Sequence, residues 1–145
     1  MTDEKGGRPI VGVAAIIIRD GKVLFGKRKG GHGGGTWCPP GGKLEFNEEF
    51  DACLIREVRE ETGLEVVVDR FAALTNNIFI DEGVHSITIY FICSIRSGSP
   101  CVTEPDKFEE WKWFEWGKLP RPLFLPVQRL VEQKFDPFSS SQWPA

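Results

Sequence analysis

Runs of apolar residues separated by short polar turns mark the first quarter of the chain. Residues 9–18 are almost continuously apolar and rich in Val, Ile and Ala, a pattern typical of a strand buried on both faces. Asp20-Gly21 predicts a hairpin turn that returns the chain into a second strand at residues 22–27. The glycine-rich stretch that follows, residues 30–35 around His32, lacks the Gly-Lys-Ser/Thr of a P-loop. It indicates either a flexible loop beside a pocket or a mobile surface loop.

A helix is predicted after this loop, with clear signals at both of its ends. Residues 36–46 contain two adjacent prolines followed by two glycines, which a helix does not accommodate. Asn47 is a good N-cap, and the acidic residues after it suit the positive end of the helix dipole. We expect the helix to run to about Thr62 and to stop at Gly63. Its predicted apolar stripe comprises Leu54, Ile55 and Val58.

The second half of the chain predicts further strands and one more helix. Two long strands are expected near residues 65–80 and 84–95, with a polar turn between them. A loop leads to residues 111–114, which alternate large apolar and polar side chains. Two prolines precede a last helix at residues 123–134. This element order predicts an α/β fold with a mixed β-sheet flanked by the two helices.

Composition narrows the class of protein. With 145 residues we expect one domain at residues 9–138, with flexible tails at 1–8 and 139–145. The net charge of -3 predicts no nucleic-acid partner. No apolar run approaches the ~20 residues of a membrane span, and residues 1–8 lack the apolar stretch of a signal peptide, so we expect a cytoplasmic protein. The four cysteines and two histidines have no spacing typical of a zinc site or a disulfide framework.

Three glutamates of the predicted helix, Glu57, Glu60 and Glu61, fall within a wedge of roughly 100°. Each pair repels by about 1 kcal/mol in water, and Glu57 faces Glu61 where a lysine or arginine would relieve the repulsion. Hard carboxylate oxygens favour Mg²⁺ or Mn²⁺. An acidic run is also typical of a solvated surface, and Arg56 and Arg59 could neutralise part of it. The cluster alone therefore leaves both interpretations open.

Nine residues in and beside this helix match the spacing G-x5-E-x7-R-E-U-x-E-E-x-G-U, in which U is aliphatic. The matching residues are Gly42, Glu48, Arg56, Glu57, Val58, Glu60, Glu61, Gly63 and Leu64. This pattern is the Nudix box, and on these residues the chain resembles the Nudix hydrolases. The resemblance implies an α/β/α sandwich and Mg²⁺-dependent hydrolysis of phosphoanhydride bonds, in which Mn²⁺ can substitute.

The resemblance also implies a role for each acidic residue of the box. Glu57 and Glu61 would be direct metal ligands, and Glu60 a further ligand or the residue that activates water. The backbone carbonyl of Gly41 commonly completes the ligand set.

Three residues would support these ligands. Arg56 and Glu48 would orient the carboxylates through a forked ion pair without touching the substrate. Nudix enzymes often use one more glutamate in a loop before a late strand, and we prefer Glu109 over Glu110 for it. The alternative is that both are ordinary surface residues.

Shorter motifs outside the box resemble the small MutT-like nucleoside triphosphate diphosphatases of animals and plants. They are residues 26–30, 40–46, 104–107, 111–113, 119–120, 122–124 and 135–138. This group includes enzymes that remove 8-oxo-dGTP and other purine or thiopurine nucleotides from the nucleotide pool. Its members are commonly homodimers, so we expect a homodimer with a small nucleotide substrate.

That similarity yields a set of candidate substrate-binding residues: Arg28, Gly41, Gly42, His85, Thr88 and Phe124. Arg28 would contact phosphate, His85 and Thr88 would line the pocket, and Phe124 would stack on a base. Alternatively, Phe124 belongs to the core and Thr88 is an ordinary strand residue. Relatives often carry Lys-Asn at positions 101–102 and Phe-Trp at 124–125, where this chain differs, and both departures weaken the transfer of base specificity.

Three functions compete at this point. The first is hydrolysis of nucleoside triphosphates to nucleoside monophosphate and pyrophosphate. The second keeps the chemistry but uses another diphosphate, such as ADP-ribose, a nucleotide sugar or a prenyl diphosphate. The third is a nucleotide-sensing domain without turnover, which the complete box and the lack of room for a helix-turn-helix disfavour.

Overall fold

The computed structural model describes residues 7–139. Within them the chain forms the following elements: β1 (Ile10–Arg19), β2 (Lys22–Arg28), β3 (Trp37–Cys38), β4 (Gly41–Lys43), α1 (Phe50–Thr62), β5 (Glu65–Phe79), β6 (Val84–Ser97), β7 (Phe108–Phe114) and α2 (Leu125–Glu132). The predicted tails lie almost entirely outside the described residues.

One mixed sheet contains all of the strands described. Its main order is β3-β2-β1-β6-β5, with β4 paired to β1 and β7 paired to β2. The β1–β6 pair is parallel, and the other pairs are antiparallel. Strand β1 lies between β2 and β6, which explains why its sequence is apolar without alternation.

The two helices cover opposite faces of this sheet. Alternate residues of β1 belong to two different apolar clusters, with Ala14 and Ile16 in one and Val13 in the other. The first cluster includes Val127 of α2, and the second includes Val58 of α1. The predicted α/β sandwich is therefore confirmed.

The start of α1 differs from the prediction. Asn47 is not the N-cap, since its backbone has a left-handed φ of 65° and the helix begins at Phe50 after Glu49. The physical reason is a competing use of Glu48, whose carboxylate accepts a hydrogen bond from the Glu45 amide and pairs with Arg56. The predicted stop is confirmed, because Gly63 has a φ of 77° and donates its N–H to the Arg59 carbonyl.

Two other boundaries moved by a few residues. Strand β7 begins at Phe108 rather than 111, because pairing with β2 continues to Arg28 across a register shift. Helix α2 is shorter than predicted, because Leu123 forms an isolated parallel bridge with Trp37 before the helix starts.

Candidate active site

The glycine pair of β4 brings backbone directly against the carboxylates of α1. Gly41 and Gly42 pair with Ala14 and Val13 of β1. The Gly41 amide donates a hydrogen bond of 2.9 Å to Oε1 of Glu61. A Cβ on Gly42 would lie 2.2 Å from the carboxylate carbon of Glu57, so any other residue would displace this carboxylate from its position.

Arg56 ties together three glutamates. Its Nε and Nη2 each donate to Glu48 at 3.0 Å, a forked geometry that lysine cannot reproduce. Its Nη1 donates to Oε1 of Glu57 at 2.9 Å and lies 3.7 Å from Oε1 of Glu60. These hydrogen bonds, with one from the Glu45 amide, lower the pKa of Glu48 to about 2. Arg56 thus fixes the orientation of Glu48 and Glu57 without lying among the residues of the cavity described below.

The environment of Glu57 and Glu61 disfavours the ionised form of both carboxyl groups. Burial raises the pKa of Glu61 to about 8, against the opposing effects of the Gly41 amide and the Arg28 charge. Burial also raises the pKa of Glu57, although Arg56 opposes the shift. The negative charge of Glu104 raises both pKa values further. A cation near these carboxylates would be stabilised by all three.

In the segment that leads into β7, the charge of Glu104 acts on both Glu57 and Glu61, and Glu109 has no such influence on either. The Glu109 carboxylate lies 3.5 Å from Nζ of Lys27 and the Glu104 carboxylate lies 3.4 Å from Nζ of Lys107, and neither glutamate lines the cavity. Glu110 likewise pairs with Lys112 at 3.5 Å. Glu104 belongs to the Glu-Pro motif of the loop before β7, which is the signal by which the sequence could have indicated it.

The donor set fits a hard divalent cation. Glu57 and Glu61 supply carboxylate oxygens, which Mg²⁺ and Mn²⁺ prefer. In residues 7–139, no three acidic, histidine or cysteine side chains are gathered into a complete ligand set. Glu57 is engaged by Arg56 and Glu61 by Gly41, so a cation would need these carboxylates to turn toward it.

A cavity of about 580 Å³ opens beside these carboxylates. Its lining includes Gly41, Gly42, Glu57, Glu61, Arg28, Thr88, Tyr90, His32, Lys107 and Phe124. The size suits a small-molecule ligand. The cavity therefore brings acidic, cationic, hydroxyl and aromatic groups to one space.

Arg28 and Phe124 are in direct contact in this cavity. The guanidinium carbon of Arg28 lies 4.1 Å from the centroid of the Phe124 ring. Its Nε and Nη2 also donate to the backbone carbonyl of His32. Phe124 is 7% exposed and belongs to the core cluster under α2 as well as to the cavity wall, so its core role is confirmed and its stacking on a base stays a prediction.

Thr88 lines the cavity, whereas His85 does not. The two residues are three positions apart on β6, so the strand alternation directs them to opposite faces of the sheet. Thr88 is buried and its Oγ1 accepts a hydrogen bond from Nδ2 of Asn77 at 3.0 Å. His85 instead hydrogen-bonds through Nε2 to Asn76. The prediction that His85 lines the pocket is wrong for this reason.

Membrane-spanning helices are absent from the part of the chain described. Neither α1 nor α2 has the length and the apolar character to cross a bilayer.

The chain is similar in sequence to a known protein family. The family model described as "NUDIX domain" matches residues 8–135. An ADP-ribose pyrophosphatase of Methanocaldococcus jannaschii is 33% identical over 116 residues, which cover 80% of this chain and 68% of that protein. A CTP pyrophosphohydrolase of Escherichia coli is 45% identical over 62 residues, covering 42% of this chain and 46% of that protein.

A solved structure resembles the whole fold. The MutT NUDIX hydrolase from Burkholderia pseudomallei has a TM-score of 0.75 and 33% identity, with 86% of this chain and 95% of that chain covered. These relatives are bacterial or archaeal, so they support a MutT-like protein but not the narrower resemblance to animal and plant enzymes.

Proposed function

The chain belongs to the Nudix family and hydrolyses pyrophosphate bonds, and we propose that its substrates are nucleoside triphosphates, which it cleaves to a nucleoside monophosphate and pyrophosphate. Oxidised or modified purine deoxynucleotides such as 8-oxo-dGTP are included in this proposal. The observation that carries it is one cavity lined both by Glu57 and Glu61 and by Phe124 and Thr88. Such a lining suits a ligand in which a flat polar ring is joined to a polyphosphate.

The proposal includes Mg²⁺ as the cofactor, with Mn²⁺ as a substitute. Nudix proteins typically use a divalent metal. Glu57 and Glu61 would hold it, with Glu60 and the Gly41 carbonyl as further candidate ligands. The raised pKa values of Glu57 and Glu61 support this assignment, since a cation would relieve the cost of their buried charge. The chemistry such a cation supplies when bound is the neutralisation of phosphate charge and the acidification of water.

Side chains of the protein would orient the carboxylates and accept the proton from water. Arg56, fixed by its fork to Glu48, keeps the Glu57 carboxylate oriented. In the hydrolysis, a water oxygen forms the new bond to the α- or the β-phosphorus, the bond from that phosphorus to the oxygen bridging the two breaks, and nucleoside monophosphate and pyrophosphate are released. We assign the acceptance of the water proton to Glu104 in place of Glu109, because its charge acts on both Glu57 and Glu61.

Arg28 would contact the phosphate groups. Its charge lowers the pKa of Glu61, and its guanidinium also stacks on Phe124. It therefore links the acidic part of the cavity to the aromatic part. A phosphate group could compete with the His32 carbonyl for its N–H donors.

ADP-ribose is the second candidate substrate. The relative from Methanocaldococcus jannaschii carries that activity in its name, and ADP-ribose also joins a base to phosphoanhydride oxygens. A nucleotide sugar and a prenyl diphosphate, the other substrates that the sequence left open, would be hydrolysed by the same reaction at a phosphoanhydride bond. A sensing domain without turnover is disfavoured because the acidic residues of the box are all present.

A substrate panel separates these possibilities. Common and oxidised nucleoside triphosphates, ADP-ribose, a UDP-sugar and a prenyl diphosphate would be compared by kcat/KM with Mg²⁺, and the products identified by chromatography. We expect triphosphates to yield monophosphate and pyrophosphate with the highest kcat/KM. Faster turnover of ADP-ribose or another diphosphate than of every triphosphate would refute the proposal.

Two expectations from the sequence remain predictions. One is the homodimer, which sedimentation velocity of the purified protein would test. The other is the cytoplasmic location, which fractionation of the source cells would test.

A further inference from the structure

Residues 30–35, between β2 and β3, form a glycine-rich stretch. Residues 30–35 are glycine at every position except His32. Within this stretch, His32 is therefore the one residue whose side chain can anchor the backbone or contact a ligand. Glycine also loses the most backbone freedom on ordering, so the loop depends on such contacts to keep one conformation.

The imidazole of His32 bridges two separate parts of the fold. Its ring centroid lies 4.6 Å from that of Phe79, at the end of β5, and 5.4 Å from that of Phe124, just before α2. Its Nδ1 lies 2.7 Å from Oε1 of Glu82, in the turn between β5 and β6. Although the loop is on the surface, the side chain of His32 is only 14% exposed.

The backbone of the loop packs closely against the ring of Phe124. A Cβ on Gly33 would lie 2.6 Å from Cε1 of Phe124, and the φ of Gly33 is 74°. Nη2 of Arg28 donates to the His32 carbonyl at 3.0 Å, and Oγ1 of Thr36 donates to the Gly33 carbonyl at 2.6 Å. The position of His32 is thus fixed both through its side chain and through its backbone.

His32 and Phe124 form adjoining walls of the cavity. Both residues line it, and their rings meet at an interplanar angle of 79°. A flat ring that lies along Phe124 would meet the imidazole at nearly a right angle, which is a favoured aromatic arrangement. Thr88 lines the same cavity and offers a hydroxyl to a polar ring edge. These features describe a site for a heteroaromatic base.

We propose that His32 is a wall of the nucleobase site and that Glu82 is a positioning residue, which holds the imidazole in place and so favours substrates with an aromatic base. This inference rests on the proposed function, because it names the part of the substrate that the aromatic end of the cavity recognises. Glu82 acts only through His32, since it does not line the cavity itself.

The test compares four variants, His32→Ala, His32→Phe, Glu82→Ala and Glu82→Gln, with Glu115→Ala as a surface control. His32→Ala should raise KM for a nucleoside triphosphate about 3- to 10-fold and leave kcat within about twofold. Glu82→Ala should have a smaller effect in the same direction. His32→Phe keeps an aromatic wall and Glu82→Gln keeps a hydrogen-bond acceptor, so both should stay near the parent. Circular dichroism verifies the fold of each variant.

Calorimetric binding of the two products gives a readout that does not depend on turnover. His32→Ala should weaken binding of a nucleoside monophosphate by the same 3- to 10-fold and leave binding of pyrophosphate unchanged. Equal weakening of both products, an effect on kcat alone, or no effect on nucleotide binding would overturn the inference. A parent protein that binds no nucleoside monophosphate would overturn it too. If the parent hydrolyses no triphosphate yet binds monophosphate in a His32-dependent way, the proposed function fails and this inference stands.

Discussion

The backbone N–H of Gly41 donates a 2.9 Å hydrogen bond to Oε1 of Glu61, which lies 20 residues further along the chain. This bond joins β4 to α1 and gives a partly buried carboxylate a neutral hydrogen-bond donor. A neutral donor offsets only part of the cost of burial, so the pKa of Glu61 stays raised. A cation beside Gly41 would therefore offset the remaining cost of ionising Glu61.

Glu57→Gln tests the assignment of the metal-binding carboxylates. The amide keeps an oxygen that accepts from Arg56, so the fold should persist, but it loses the charge that a divalent cation needs. We expect kcat to fall by at least about 100-fold with Mg²⁺. Glu49→Gln, at the exposed start of α1, is the matched control and should retain activity. A Glu57→Gln protein that hydrolyses substrate as well as the parent would show that the assignment is wrong.

Glu104→Gln and Glu109→Gln distinguish the two candidates outside α1. Removal of a general base costs about 10²- to 10⁴-fold in rate, and we expect that loss only for Glu104→Gln. Glu109→Gln removes an ion pair with Lys27 on the surface, so its kcat should stay within about twofold of the parent. The measurement is kcat at saturating Mg²⁺ for both proteins. The reverse ranking would restore Glu109 to the role that the sequence resemblance predicts.

The choice between these two glutamates illustrates what the sequence could not provide. Both belong to the segment before or within β7, and the loop that holds Glu104 has no periodic pattern to indicate its direction. The position of Glu109 depends on the pairing of β7 with β2, which brings it to Lys27. That pairing joins residues far apart in the chain and leaves no local signal.

Other features were available from local patterns. The spacing of Glu57 and Glu61 on a helix and the stop at Gly63 follow from helical geometry, and the strand alternation of β6 already excluded His85 from the face of Thr88. The use of Glu48 by Arg56 in place of an Asn47 cap depends on a tertiary fork. The position of His32 likewise depends on Phe79, Glu82 and Phe124, which are distant in sequence and come together only in the fold.

Gly42→Ala and Gly41→Ala should separate effects on the site from effects on the fold. A methyl group on Gly42 meets the mobile end of Glu57, so it should displace that carboxylate and lower activity with little loss of stability. On Gly41 it would lie 2.1 Å from the Val13 carbonyl oxygen, where backbone must move, at a cost of about 1–3 kcal/mol or more. Gly117→Ala meets nothing within 4 Å and serves as the control. Denaturant unfolding and kcat/KM check each variant, and equal unfolding curves for Gly41→Ala and Gly117→Ala would contradict the steric argument.

Glu48→Gln should alter stability on the acid side. The pKa of Glu48 is lowered from 4.5 to about 2 in the folded state, so its contribution is present above about pH 4.5 and is lost as pH falls toward 2. The variant lacks this titration, so its stability should fall less steeply than that of the parent in this window. Urea unfolding at a series of pH values measures the slopes. Parallel slopes would mean that the Arg56 fork contributes nothing to folding.

Glu61→Gln should stabilise the metal-free protein at alkaline pH while removing its activity. The pKa of Glu61 is raised from 4.5 to about 8, so folding retains a proton that the unfolded chain loses. In the parent, the favourable contribution is therefore fully present below pH 4.5 and is lost as pH rises toward 8. The variant carries no such charge, so at pH 9 in EDTA its free energy of unfolding should exceed that of the parent. Mg²⁺ should reduce the difference by stabilising the ionised carboxylate in the parent alone. If the parent is the more stable protein at pH 9 in EDTA, burial does not penalise the Glu61 charge, and the electrostatic case for a cation beside Gly41 fails.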